Sequence, residues 1–102
     1  MIQISLDQDR IDAFCERWQV TELALFGSVL RDDFRPDSDI DLLVSFHPDA
    51  RHTLLDLVDM QEELEAIFGR RVDLVSRRAI EQSRNYIRRA SILGSIEVIH
   101  AP

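Results

Sequence analysis

Apolar positions along the chain change period several times, and each change marks an element. Ile11, Phe14, Cys15 and Trp18 stand at i, i+3, i+4 and i+7, which predicts a helix over residues 7–18. Leu23-Ala24-Leu25-Phe26 is a short apolar run stopped by Gly27 and predicts a buried strand. A short helix is expected over 28–31, then a turn at Arg35-Pro36-Asp37-Ser38. Residues 39–46 are almost continuously apolar after their first positions, as in a strand covered on both faces.

A loop over 47–52 leads to Thr53, which reads as an N-cap with Asp56 three residues on. The helix that follows to residue 68 turns Leu57, Met60, Leu64, Ile67 and Phe68 inward, and Gly69 ends it. Residues 71–75 predict a third strand. A last helix over 79–93 places Ile80, Ser83, Ile87 and Ala90 on one side. Residues 96–99 close the pattern as a short extended piece or a continued helix. The alternation implies an α/β (α+β) fold, a small mixed sheet with helices packed on it, in a single domain over residues 1–102.

Composition narrows the class. Apolar residues are 45% and charged residues 30% of 102, the balance of an ordinary globular domain. No apolar run is long enough to span a bilayer, and the first residues lack the basic start and apolar stretch of a secretory signal. The single Cys15 has no internal disulfide partner, which predicts a reducing, cytoplasmic setting.

The net charge of −7 is unevenly spread. Residues 1–68 hold five Arg and sixteen acids, a net −11; residues 69–102 hold seven Arg and three acids, a net +4. The acidic total argues against direct nucleic-acid binding, which needs a large basic surface. The basic C-terminal third is a candidate for partner contact, although Arg77, Arg78, Arg84, Arg88 and Arg89 read equally as a solvated helix face.

The candidate chemistry lies between residues 27 and 73. Asp39 and Asp41 sit two apart at the start of a strand, so both carboxylates leave one face with Cα atoms about 6.5–7 Å apart. Ile40 points the other way. Paired carboxylates repel each other unless a cation lies between them, and magnesium takes such hard oxygens together with substrate phosphates. Asp73 is a lone charge in the apolar Val72-Asp73-Leu74-Val75 and should meet a cation, either a metal or Arg70 or Arg71. If its strand lies beside 39–46, three carboxylates gather in one patch able to hold two ions. Gly27 permits close backbone approach. A helix starting there would aim N–H groups at an anion, with the Ser28 hydroxyl and Arg31 in reach. A phosphate cradle and a metal cradle at the ends of successive strands suit nucleotidyl transfer.

Gly27-Ser28, Arg31, Ser38-Asp39-Ile40-Asp41-Leu42-Leu43-Val44 and Asp73 together resemble the minimal nucleotidyltransferases of the DNA polymerase beta superfamily. The resemblance spans essentially the whole chain. Leu30 before Arg31 and Asp32-Asp33 after it depart from the small residue and Gly usual there. The resemblance implies ATP as substrate and magnesium, two ions, as cofactor. It implies Asp39, Asp41 and Asp73 as metal ligands and catalytic carboxylates, with Gly27 and Ser28 on the triphosphate. Short members are similar to antitoxins paired with a helical HEPN-type ribonuclease toxin, and the likeness implies AMP transfer from ATP to a tyrosine of that toxin. A chain this short suits a substrate brought by a partner. Two other readings stand beside it: an antitoxin that inhibits by binding alone, and a free-standing enzyme that modifies a small molecule.

The remaining conspicuous residues read as structural. Cys15 and Trp18 belong to the core, His47 and His52 to a solvated loop, and His100 and Tyr86 carry no chemical signal.

Overall fold

The computed structural model describes residues 6–30, 35 and 38–102. The first helical stripe forms α1 (Gln8–Arg17), capped by the Asp7 carboxylate on the Arg10 N–H, and it buries Ile11, Phe14 and Cys15. Gln19 follows at φ 57°, a left-handed turn that reverses the chain into β1 (Val20–Phe26). This strand starts three residues before the predicted one. Its pairing with β2 (Ile40–Phe46) is irregular between Val20 and Glu22, which breaks the alternation that would have marked those residues.

The capping box at Thr53 and Asp56 is present, with reciprocal bonds of 2.9 and 3.2 Å. It opens α2 (Leu54–Phe68), and Gly69 closes that helix at φ 72°. Met60 and Leu64 are fully buried, while Leu57, Ile67 and Phe68 pack around them. β3 (Val72–Ser76) follows, with its first N–H held by the Glu65 carboxylate at 3.0 Å.

The single helix predicted over 79–93 is two. α3 (Arg77–Glu81) is capped by Ser76 and α4 (Tyr86–Leu93) by Asn85. Short polar side chains here bind backbone N–H groups more favourably than a continuous helix allows. Arg89 Nη1 donates to the carbonyls of Glu81 and Ser83, which the break leaves open. Ile87, expected inward, is therefore 76% exposed. β4 (Ile96–His100) settles the last segment as a strand.

The described strands form one mixed sheet in the order β3-β2-β1-β4. β1 is antiparallel to β2 and β4, and β2 is parallel to β3. α1 and α2 cover one face over Leu23, Leu25, Ile40 and Leu42. Ile80 of α3, with Ile92 and Leu93 of α4, covers Ala24, Phe26 and Leu43 on the other. Burial on both faces explains the unbroken apolar run in β2. None of the described helices is long and apolar enough to cross a membrane.

His52 is not the solvated loop residue expected. Its Nε2 is 2.8 Å from the Trp18 carbonyl, which can only accept, so Nε2 carries the proton. Its ring packs between Trp18 and Phe46 at centroid distances of 5.9 and 4.7 Å. Trp18 Nε1 donates to Glu63 at 2.6 Å, so one small cluster joins α1, β2 and α2.

Candidate active site

The parallel ladder brings the carboxylates together. Ile40 N–H donates to the Arg71 carbonyl at 2.9 Å, and this sets the register in which Asp41 lies opposite Asp73. Neighbouring strands run about 4.8 Å apart, so both side chains leave the same face at that spacing. Asp39, predicted as the first residue of this strand, stands one residue before β2 and outside the ladder, so Asp41 and Asp73 alone define this face. It is the face that α3 and α4 cover farther along the sheet, and the carboxylates lie at the end where β2 and β3 begin.

β1 reaches the site from the other side. Its last residue, Phe26, pairs with Asp41, and Gly27 turns the chain at φ 75°. A Cβ on Gly27 would overlap Asp41 Oδ2 and stand 3.2 Å from Cγ. Gly27 is thus required twice, by its backbone angle and by the carboxylate against it. Gly27–Leu30 forms a single 3-10 turn anchored by the fully buried Val29, with Ser28 half-buried. A turn this short has little dipole. Individual N–H groups and the Ser28 hydroxyl remain as anion donors, rather than the N-terminus of a longer helix. Arg31 lies outside the described residues.

The loop before Asp39 is held by polar contacts. Arg35 N–H donates to Ser38 Oγ and Ser38 N–H to the Arg35 carbonyl, both at 3.0 Å. Arg70 Nη1 reaches the carbonyls of Arg35 and Ser38 at 3.4 and 3.5 Å. In sequence, Arg70 reads only as an ion-pair partner for Asp73. Its position one residue before the Arg71 carbonyl that starts the ladder is what brings it to this loop instead.

Asp73 needs no Arg. It was expected to be a buried charge in an apolar strand, but β3 is the sheet's outer strand and Asp73 is exposed. Among the described residues it forms no ion pair with Arg70 or Arg71. Asp39 is also exposed and Asp41 half-buried. No three His, Cys, Asp or Glu side chains of the described residues converge into a metal-binding group. The donor set nevertheless suits magnesium: hard carboxylate oxygens on adjacent strand positions, open to solvent and to phosphate.

A sequence model of the nucleotidyltransferase domain matches residues 10–96. The chain belongs to the nucleotidyltransferase domain family. A protein assigned as a minimal nucleotidyltransferase, 35% identical, superposes with a TM-score of 0.66 over 87% of this chain and 85% of its own. A toxin–antitoxin complex crystallised with AMP-PNP shares the fold at a TM-score of 0.70, with 18% identity over 95% of this chain and 75% of that one. The protein adenylyltransferase MntA of Thermococcus cleftensis is 41% identical over 66 residues, 65% of this chain and 65% of that relative's length. The Gly27-Ser28 turn follows directly on Phe26, which pairs with Asp41, and Asp41 in turn lies opposite Asp73, so these residues share one end of the sheet.

Proposed function

We propose that this nucleotidyltransferase is the antitoxin of a pair. It would transfer AMP from ATP to a tyrosine hydroxyl of a helical HEPN-type ribonuclease and so neutralise it in the cytoplasm. The observation that carries the chemistry is the register of Asp41 against Asp73, with the Gly27-Ser28 turn at the same end of the sheet and Asp39 just before β2. The likeness to a protein adenylyltransferase supports the choice of a protein substrate.

Asp39, Asp41 and Asp73 would hold magnesium, which when bound supplies charge neutralisation on the triphosphate. The chain's own groups do the rest. The Gly27 turn lets backbone N–H groups approach the phosphates, and the Ser28 hydroxyl donates beside them. Asp73, exposed on the outer strand, is where a tyrosyl hydroxyl of a partner can arrive and give up its proton. The tyrosyl oxygen then bonds to the α-phosphorus as the α–β bridging bond breaks and pyrophosphate leaves.

The test mixes this chain with labelled ATP, magnesium and the protein encoded by the adjoining gene. Label should pass to that protein, and Asp39→Asn with Asp41→Asn should abolish the transfer. A tight complex without transfer would leave inhibition by binding alone. Transfer to a small hydroxyl compound but not to the protein would favour the free-standing enzyme.

A further inference from the structure

One flank of α2 carries apolar side chains that nothing among the described residues covers. Leu54, Val58, Gln61 and Glu65 follow at i, i+4, i+7 and i+11, a seam of their own about a quarter turn from Met60 and Leu64. Leu54 is 80% exposed and Val58 53%, and neighbouring Leu55 is 77% exposed. Three large aliphatics this exposed on two turns of one helix form a patch rather than a scatter. Between the seam and β3 runs a groove of about 500 Å³, floored by Val44, Leu57 and Leu74.

The groove opens between α2 and the end of β3, where Leu54, Val58 and Leu74 line it. α1 lies along the opposite flank of α2, where Glu63 takes both Arg17 and Trp18. Those two helices form the layer on this face, and α2 meets the outer strand β3 where Glu65 takes the Val72 N–H, so the groove lies toward the other end of β3, at Leu74 and Ser76. Its Leu74 packs on the core from one side and opens to the groove on the other. A helix laid against the first turns of α2 and over Leu74 would fill the groove. An added strand is a poorer fit. β3 has only five residues, and its first N–H is already taken by Glu65.

The charge on the rim selects the occupant. Of the acids on α2, Asp56 serves the cap, Glu63 binds α1 and Glu65 binds Val72. Glu62 on the groove and Asp59 one turn back have no hydrogen bond or ion pair among the described residues. We infer that this groove seats an amphipathic helix of a partner protein, apolar along one stripe and bearing Arg or Lys beside it. The inference rests on the reading above for which protein brings that helix: the one that is adenylylated. The seat lies on the face of the sheet opposite Asp41 and Asp73, so docking and chemistry use different surfaces.

Calorimetric titration with the adjoining-gene protein tests this. Leu54→Glu with Val58→Glu should weaken the complex at least about tenfold, and Glu62→Arg several-fold with a reduced dependence on salt. Both variants should keep the wild-type melting temperature, because the substituted side chains are exposed. At saturating partner the label-transfer rate should be unchanged, so only the half-saturating concentration moves. Unchanged affinity in both variants, with transfer intact, overturns the docking site and leaves the enzymatic reading standing. A sensitive complex without transfer keeps the docking site and overturns the enzymatic reading. Absence of any complex overturns both. If instead the wild-type chain sediments as a dimer that the double variant dissociates, the groove seats a second copy and the inference fails.

Discussion

The Asp41 carboxylate occupies the space that a side chain on Gly27 would need. Any L-residue there meets two penalties, the left-handed angle and the overlap. The angle alone costs about 1–2 kcal/mol. Gly27→Ala is expected to lose at least that much stability in urea unfolding, and to lose nucleotidyl transfer, because Asp41 must move. An alanine variant with wild-type stability and transfer would show that the two residues are not in contact in solution.

Asp39, Asp41 and Asp73 crowd one end of the sheet without converging on an ion. In the absence of magnesium their mutual repulsion opposes folding. Asp39→Asn with Asp41→Asn should therefore leave the metal-free melting temperature unchanged or higher. Magnesium is expected to raise the wild-type melting temperature, and the same variant should lose that rise. Scanning calorimetry with and without the ion reads both. A variant that unfolds would assign these acids a structural role.

α1 and β4 are joined by Asp12, whose Oδ1 is 2.8 Å from His100 Nδ1 and 2.8 Å from Gln8 Nε2. The hydrogen bond from His100, then that from Gln8, hold the Asp12 carboxyl below its ordinary value of 3.8. A depressed folded-state value means the stabilisation is in full above 3.8 and is lost as pH falls through the folded value. Urea midpoints of the wild type should fall relative to Asp12→Asn as pH drops below about 4. Parallel curves for the two proteins would show that the latch does not form.

Long, regular features were legible in sequence. The α1 stripe, the Thr53 cap and the β2 run each express one period and one local signal. The features that escaped depend on partners distant in the chain. The first residues of β1 became a strand only by pairing with β2 across an irregularity. The helix over 79–93 broke because Ser76 and Asn85 each cap a separate turn. The candidate site is legible in sequence only as residue types: Asp39, Asp41, Asp73, Gly27 and Ser28. What sequence could not supply was the parallel register that sets Asp41 against Asp73, or the outer position of β3 that leaves Asp73 in water. The seam of Leu54 and Val58 gives no separate signal in sequence, because these apolar residues stand next to the inner stripe that starts at Leu57.

Cys15 offers a test of how tightly α1 is docked. Its side chain is fully buried, and desolvation, then the nearby Asp12 charge, pushes the thiol up to about 12. The thiolate is the reactive form, so the native protein should resist alkylation at pH 8, where an exposed cysteine reacts readily. Labelling should instead follow the unfolded population and accelerate through the urea transition. The same shift has a consequence for stability. Between about pH 9 and 12 the unfolded chain releases the thiol proton and the folded chain keeps it, so stability should decline with rising pH across that window. Cys15→Ala should remove that part of the decline while costing stability at every pH through the lost packing of α1 on the sheet. Rapid alkylation of the native protein at pH 8 would mean that α1 opens from the sheet far below the free energy of global unfolding.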